Sequence, residues 1–138
     1  MQFNFKGMPN RKPSLSMLAI DDEASILLIL QHYFKDSFIV KTGSNAKEAL
    51  SWMQAGNIPD IIIADINMPE MDGYAFINQV RSSGFLKHIP VIILSANDKT
   101  DDKIRCLEAG ADDYIAKPFN PKELGARING MLRRTGKL

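Results

Sequence analysis

Five short apolar runs divide the chain, and each is followed by a stretch whose apolar residues recur at helical spacing. The runs are Met17–Ile20, Phe38–Val40, Ile61–Ile63, Val91–Leu94 and Tyr114–Ala116. Their length and flanking turn residues predict strands. Ile61–Ile63, consecutive isoleucines, reads as a strand covered on both faces, as inside a parallel sheet. Ala24–Lys35 predicts a first helix, with Ile26, Leu27, Leu30, Tyr33 and Phe34 at helical spacing. Thr42-Gly43 is expected to close the second strand, and Ser44 to cap a helix that runs to Gln54 and stops at Gly56. Tyr74–Arg81 carries Phe76, Ile77 and Val80 inward and ends near Gly84. Thr100 starts a helix containing Ile104 and Leu107 that Gly110 terminates. The last helix spans about 121–133, with Pro121 suited to its first turn and Leu124, Ile128, Met131 and Leu132 on one face.

Strands and helices alternating through short loops predict a doubly wound α/β fold with right-handed crossovers. For five parallel strands the expected order is 2-1-3-4-5, which makes the first and third strands neighbours at the switch point. Residues 15–134 form the expected domain. Residues 1–14, with Pro9, Asn10 and Pro13 among Lys6, Arg11 and Lys12, read as a flexible arm, and 135–138 as a tail or the start of a linker.

Composition narrows the partners. At 138 residues, 45% hydrophobic, the chain can bury a core without disulfide or metal. Seventeen basic residues against sixteen acidic leave a formal charge of +1, so no global field draws in nucleic acid or membrane, and no direct nucleic-acid contact is expected. The single cysteine, Cys106, excludes an internal disulfide and any multi-cysteine metal site, which fits a reduced cytosolic setting. No apolar stretch reaches the ~18 residues of a membrane span. A soluble cytoplasmic domain is expected.

The chemistry lies where the strands end. In this topology the polar residues closing the strands share one sheet edge: Asp21 and Asp22 after the first, Asp65 after the third, Ser95 after the fourth and Lys117 after the fifth. Taken alone, Asp65 reads equally as a turn cap, and Asp21, Asp22 and Glu23 as an acidic helix start. Together, three carboxylates favour a hard divalent cation, and oxygen-only ligands in an open site suit Mg²⁺. A hydroxyl and an ammonium beside them suit the oxygens of a phosphoryl group. Neither G-x-x-x-x-G-K-[ST] nor G-x-G-x-x-G occurs. These residues point to metal-assisted phosphoryl chemistry on a carboxylate, without a nucleotide.

Four blocks then carry a resemblance. IDDE (Ile20–Glu23), DINMPEMDG (Asp65–Gly73), LSA (Leu94–Ala96) and GADDYIAKPF (Gly110–Phe119) occur in this order over roughly 15–134. Together they resemble the receiver domain of two-component response regulators, a flavodoxin-like fold. The resemblance implies that Asp65 is the phospho-acceptor, served by a sensor histidine kinase or a phosphotransfer protein. It implies that Asp22 binds Mg²⁺ directly and Asp21 largely through water, with Asp65 and the backbone carbonyl of Asn67 as further ligands. Lys117 would pair with Asp65 at rest and with a phosphoryl oxygen afterwards, aimed by a cis bond before Pro118. Ser95 would bind the phosphoryl group, and its movement would let Tyr114 turn inward, altering the surface of the fourth helix, fifth strand and fifth helix. Such a protein is a signalling switch that catalyses only its own phosphoryl transfer and dephosphorylation.

The C-terminal stretch NPKELGARINGMLRRTGKL resembles the end of receivers that continue into a DNA-binding domain. That class implies a phosphorylation-promoted homodimer with Lys103, Asp113, Glu123 and Arg127 in ion pairs across it; ordinary surface charge is the competing reading. The resemblance implies that Asn67 and Asn97 stand in family positions that tune phosphoryl lifetime. His32 and His88 read as surface residues, Cys106 and Trp52 as packing. An enzyme of the haloacid-dehalogenase type would want D-x-D with the nucleophile first, where Asp65-Ile66-Asn67 stands, and room for a cap. A flavodoxin-type cofactor binder would want a hydroxyl-rich phosphate loop where acidic Asp21, Asp22 and Glu23 stand.

Overall fold

In the computed structural model the described residues are 14–97 and 99–138, together with the backbone of Phe3–Asn4 and Met8–Pro9, which pair as a short antiparallel bridge. The arm expected over residues 1–14 otherwise lies outside them. Strands β1 (Leu15–Ile20), β2 (Phe38–Gly43), β3 (Ile61–Asp65), β4 (Val91–Ser95) and β5 (Asp113–Ala116) alternate with helices α1 (Ala24–Phe34), α2 (Ala46–Gln54), α3 (Gly73–Ser82), α4 (Thr100–Ala109) and α5 (Pro121–Arg134). The strands form one parallel sheet in the order β2-β1-β3-β4-β5, as the alternation predicts.

Side chains alternate across the sheet, and this divides the core in two. Leu18, Ile20, Ile62, Ala64 and Ile93 pack on one face with Met53, Phe76, Ile77, Val80 and Cys106 of α2, α3 and α4. Met17, Ala19, Ile61, Ile63 and Leu94 pack on the other with Leu30 and Phe34 of α1 and Leu124, Ile128 and Leu132 of α5. All five residues of β3 are buried, which explains its unbroken apolar run.

Two local expectations change. Thr42 and Gly43 do not close β2; they pair with Ala19 and Ile20 inside it. The cap of α2 therefore moves on one residue: Asn45, not Ser44, accepts from the Glu48 backbone N–H at 2.8 Å, while the Ser44 hydroxyl meets the Glu48 carboxylate at 3.4 Å. On α4, Cys106 enters the core, as its reading as a packing residue predicts, while Ile104 and Leu107 stay about half exposed.

At the edge where β4 and β5 begin, Arg81 of α3 ties several segments together. Its Nε donates to the Gly110 carbonyl at 2.9 Å, Nη1 to the carbonyls of Ile89 at 2.6 Å and Lys87 at 3.0 Å, and Nη2 to Asp112 Oδ2 at 2.9 Å. The same Asp112 oxygen accepts from the Val91 N–H at 2.8 Å. Gly110 ends α4 at φ 117°, a conformation glycine adopts at little cost.

Candidate functional site

The sheet order sets the site. Ile20 pairs with Ala64, so Asp21 leaves β1 beside Asp65 at the end of β3. Asp65 pairs with Leu94, and Ser95 follows one residue beyond it on β4. Ser95 pairs with Ala116, so Lys117 comes next on β5, and the Lys117 N–H donates to the Ser95 carbonyl at 2.7 Å. The Lys117-Pro118 bond is cis, as the resemblance implies. Asp21 and Asp65 are buried, Ser95 fully so, and Asp22 is exposed. Each of Asp21, Asp22 and Asp65 offers a carboxylate oxygen within 4.8 Å of the others. Oxygen donors at this spacing, with one of them open to solvent, fit a hard divalent cation.

Lys117 takes a different first partner from the expected one. Its Nζ lies 2.7 Å from Asp21 Oδ2, and 3.6 Å from both Asp65 Oδ1 and Glu23 Oε1. The Glu23 backbone N–H holds Asp21 Oδ1 at 2.9 Å, which leaves Oδ2 oriented for the ammonium. Asp65 remains an ion-pair partner without a direct hydrogen bond. By sequence Glu23 belongs only to an acidic helix start; its place at the start of α1 next to the β5–α5 turn is what brings it to Lys117.

The electrostatics follow from burial. Burial pushes the Asp65 carboxyl up to about 6; the Lys117 charge opposes this, Asp21 and Asp22 reinforce it, and a hydrogen bond from the Asn67 backbone N–H opposes it. Asp65 is therefore mostly ionised at neutral pH, at a cost that comes first from its burial. For Lys117, burial works to lower the pKa. The hydrogen bond to Asp21 and the charges of Asp65, Asp21 and Glu23 together outweigh it and raise the pKa.

The remaining candidates sit around this centre. Asn67 is exposed and contributes its backbone N–H to Asp65. Tyr114 is half-buried, and its hydroxyl donates to the Asn97 carbonyl in the β4–α4 loop. Arg127 pairs within the chain, at 3.0 Å from Asp113 and 3.6 Å from Glu123, while the Lys103 ammonium lies 5.8 Å from the Tyr114 ring centre. These four charged residues share the α4–β5–α5 side but face partners already in the chain. His32 and His88 are exposed.

Gly73 closes the loop after β3 where there is no room for a side chain. Its N–H donates to the Ile66 carbonyl at 2.8 Å, and a Cβ there would lie 2.6 Å from Ile66 Cδ1 and 2.8 Å from Ile66 Cα. Backbone cannot yield as a flexible side chain can. Gly73→Ala is expected to cost about 1–3 kcal/mol and to weaken divalent-cation binding by displacing the residue after Asp65. Thermal unfolding and a metal titration check both; wild-type values in each would mean the loop has slack.

The model of the response regulator receiver domain matches residues 17–129. The chain belongs to the response regulator receiver family. This receiver is 44% identical over 122 residues to a probable transcriptional regulator (ycf27) of Guillardia theta, covering 88% of this chain and 46% of that protein. It is 39% identical over 120 residues to the alkaline phosphatase synthesis transcriptional regulatory protein PhoP of Bacillus subtilis, covering 86% and 49%. The receiver thus spans about half the length of these relatives. Among solved structures, the receiver domain of Francisella response regulator 1452 superposes with a TM-score of 0.81 at 35% identity, covering 88% of this chain and 99% of that one. Among the described residues of the receiver no helix is long and apolar enough to cross a membrane.

Proposed function

We propose that Asp65 accepts a phosphoryl group from a phosphohistidine on a sensor kinase or phosphotransfer protein, and that the modification switches the α4–β5–α5 surface. The observation that carries this reading is the cluster of Asp21, Asp22 and Asp65 around Lys117 at the C-terminal edge of a receiver sheet. In the transfer, an Asp65 oxygen forms the new P–O bond as the P–N bond of the donor breaks, and the imidazole leaves with the electron pair. Asp22, Asp65, Asp21 through water and the Asn67 carbonyl would hold Mg²⁺, which supplies positive charge against the phosphoryl oxygens. Lys117 stands close enough to Asp65 to meet one such oxygen, and Ser95, buried one residue beyond the partner of Asp65 on β4, would donate its hydroxyl to another. As Ser95 moves, Tyr114 follows. The chain acts as a switch that catalyses only its own modification and its reversal.

The relatives are transcriptional regulators about twice as long, which supports a role as the regulatory half of a cytoplasmic DNA-binding protein, without itself touching DNA. Phosphorylation then promotes a homodimer through α4–β5–α5, with Lys103, Asp113, Glu123 and Arg127 exchanging partners between copies. Intact mass after incubation with Mg²⁺ and acetyl phosphate tests the acceptor. One phosphoryl group is expected on the wild type, and none on Asp65→Asn or after metal removal. An equal gain in both proteins would place the chemistry elsewhere. Sedimentation with a phosphoryl mimic tests the dimer; an unchanged monomer would exclude it.

A further inference from the structure

We infer that Asn97 is the positioning residue that joins Ser95 to Tyr114, so that the two move together only while the Asn97 side chain is held against α4. The inference rests on the proposed phosphoryl switch and adds its mechanical link.

Asn97 lies two residues beyond Ser95, and all four of its polar groups are engaged. Its backbone N–H donates to the Ser95 hydroxyl oxygen at 3.1 Å, and its carbonyl accepts from the Tyr114 hydroxyl. Its side-chain oxygen accepts from the Lys99 N–H at 3.0 Å, and its side-chain nitrogen donates to Asp102 Oδ2 at 2.5 Å. One residue therefore touches the end of β4, the start of α4 and the middle of β5.

The two halves of this arrangement do different work. The backbone half faces the switch: Ser95 on the N–H side and Tyr114 on the carbonyl side. When the Ser95 hydroxyl turns toward a phosphoryl oxygen, it leaves the Asn97 N–H, and the Asn97 backbone, whose carbonyl in the following peptide accepts from Tyr114, is free to shift. The side-chain half sets what that shift does. Lys99, at the N-cap of α4, makes no side-chain capping bond of its own, so among the described residues Asn97 and Asp102 supply the side-chain ties at this helix start. Asp102 is well placed there, since a carboxylate in the first turn is favoured by the helix dipole. With the side chain clamped to α4, a displacement of the Asn97 backbone reaches Tyr114 and the helix. Unclamped, it is absorbed in the loop.

The contact with Asp102 allows a swap. Asn97→Asp sets two carboxylates against each other and breaks the clamp. Asn97→Asp/Asp102→Asn restores a hydrogen bond with donor and acceptor exchanged. The protein is labelled with fluorotyrosine, Tyr114 is assigned by its loss in Tyr114→Phe, and beryllium fluoride with Mg²⁺ serves as the phosphoryl mimic. The fluorine signal of the bound mimic reports loading of the site, and the Tyr114 signal reports the switch. The wild type is expected to show both responses. Asn97→Asp is expected to load the mimic but lose most of the Tyr114 response, and the swap to recover it. Asn97→Ser, whose one hydroxyl can accept from Lys99 but is too short to reach Asp102 as the amide nitrogen does, serves if Asn97→Asp does not fold, with the same loss expected. A full Tyr114 response in the loaded Asn97→Asp or Asn97→Ser protein, or a swap that stays silent, would overturn the joint. A wild type that never loads the mimic would instead overturn the phosphoryl reading, and the joint with it.

Discussion

In the absence of divalent metal at pH 7, the Asp65→Asn protein is expected to be more stable than the wild type by about 2–3 kcal/mol. The cause is the cost of an ionised carboxylate in a buried cluster of like charges. Burial, with Asp21 and Asp22, raises Asp65 from 3.8 to about 6 against the pull of Lys117 and the Asn67 N–H. The folded chain holds the Asp65 proton up to about pH 6, whereas the unfolded chain releases it near 3.8. Between those values folding takes up a proton, so stability falls as pH rises through this window, and the penalty is complete above it. Asparagine has nearly the same shape and no charge, so the variant escapes the penalty. Urea unfolding in a chelator at pH 5, 6 and 7 checks this: the gap should widen with pH. Parallel curves would show that Asp65 ionises without cost. The position that carries the proposed chemistry is thus the one where the fold gives up stability.

Arg81→Ala should act in the opposite sense, destabilising the protein by about 2–4 kcal/mol. Its guanidinium bonds three carbonyls and Asp112, and joins α3 to the segments that lead into β4 and β5. The side chain is 23% exposed, so the carbonyls it leaves recover part of their bonding from water, which keeps the cost below the sum of its bonds. Arg81→Lys should rescue little, because a single ammonium cannot reproduce the planar fork that reaches several acceptors at once. The site lies at the other end of the sheet, and phosphoryl uptake per folded molecule should not change. Denaturant melts together with intact mass separate the two effects. A loss below about 0.5 kcal/mol, the usual effect of a surface substitution, would mean that the tie is redundant.

The contrast shows what a sequence exposes. Asp65 stands out because an isoleucine run ends in a carboxylate, and burial on both faces writes itself as an unbroken apolar stretch. The strand order follows because alternating strands and helices allow few topologies. Arg81 leaves no such trace, since three of its acceptors are backbone carbonyls, which every residue type provides. Asn45 replaces Ser44 as cap because β2 runs on through Gly43, and strand pairing with Ala19 and Ile20 decides that. Ile104 and Leu107 have helical spacing yet stay half exposed, and Cys106, which reads as a packing residue, is the one α4 buries. Periodicity identifies a helix more securely than it identifies which side is covered. The first partner of Lys117 depended on a backbone N–H orienting Asp21, a contact outside any motif.

The position of Trp52 gives the chain an optical property. It is the single tryptophan, partly buried on α2, with the Lys41 ammonium 5.8 Å from its ring centre. Lys41 pairs with Leu18, and Leu18 with Ile62, so two strand spacings separate it from β3, and Asp65 lies three residues further along that strand. That places roughly 10 Å between them in each direction. The residue that follows Asp65 is the aliphatic Ile66. Intrinsic emission will therefore follow unfolding of the α2 face and stay quiet while the carboxylate cluster fills or empties. Fluorescence melts of every variant above can be compared directly, with the state of the acceptor read on a separate channel.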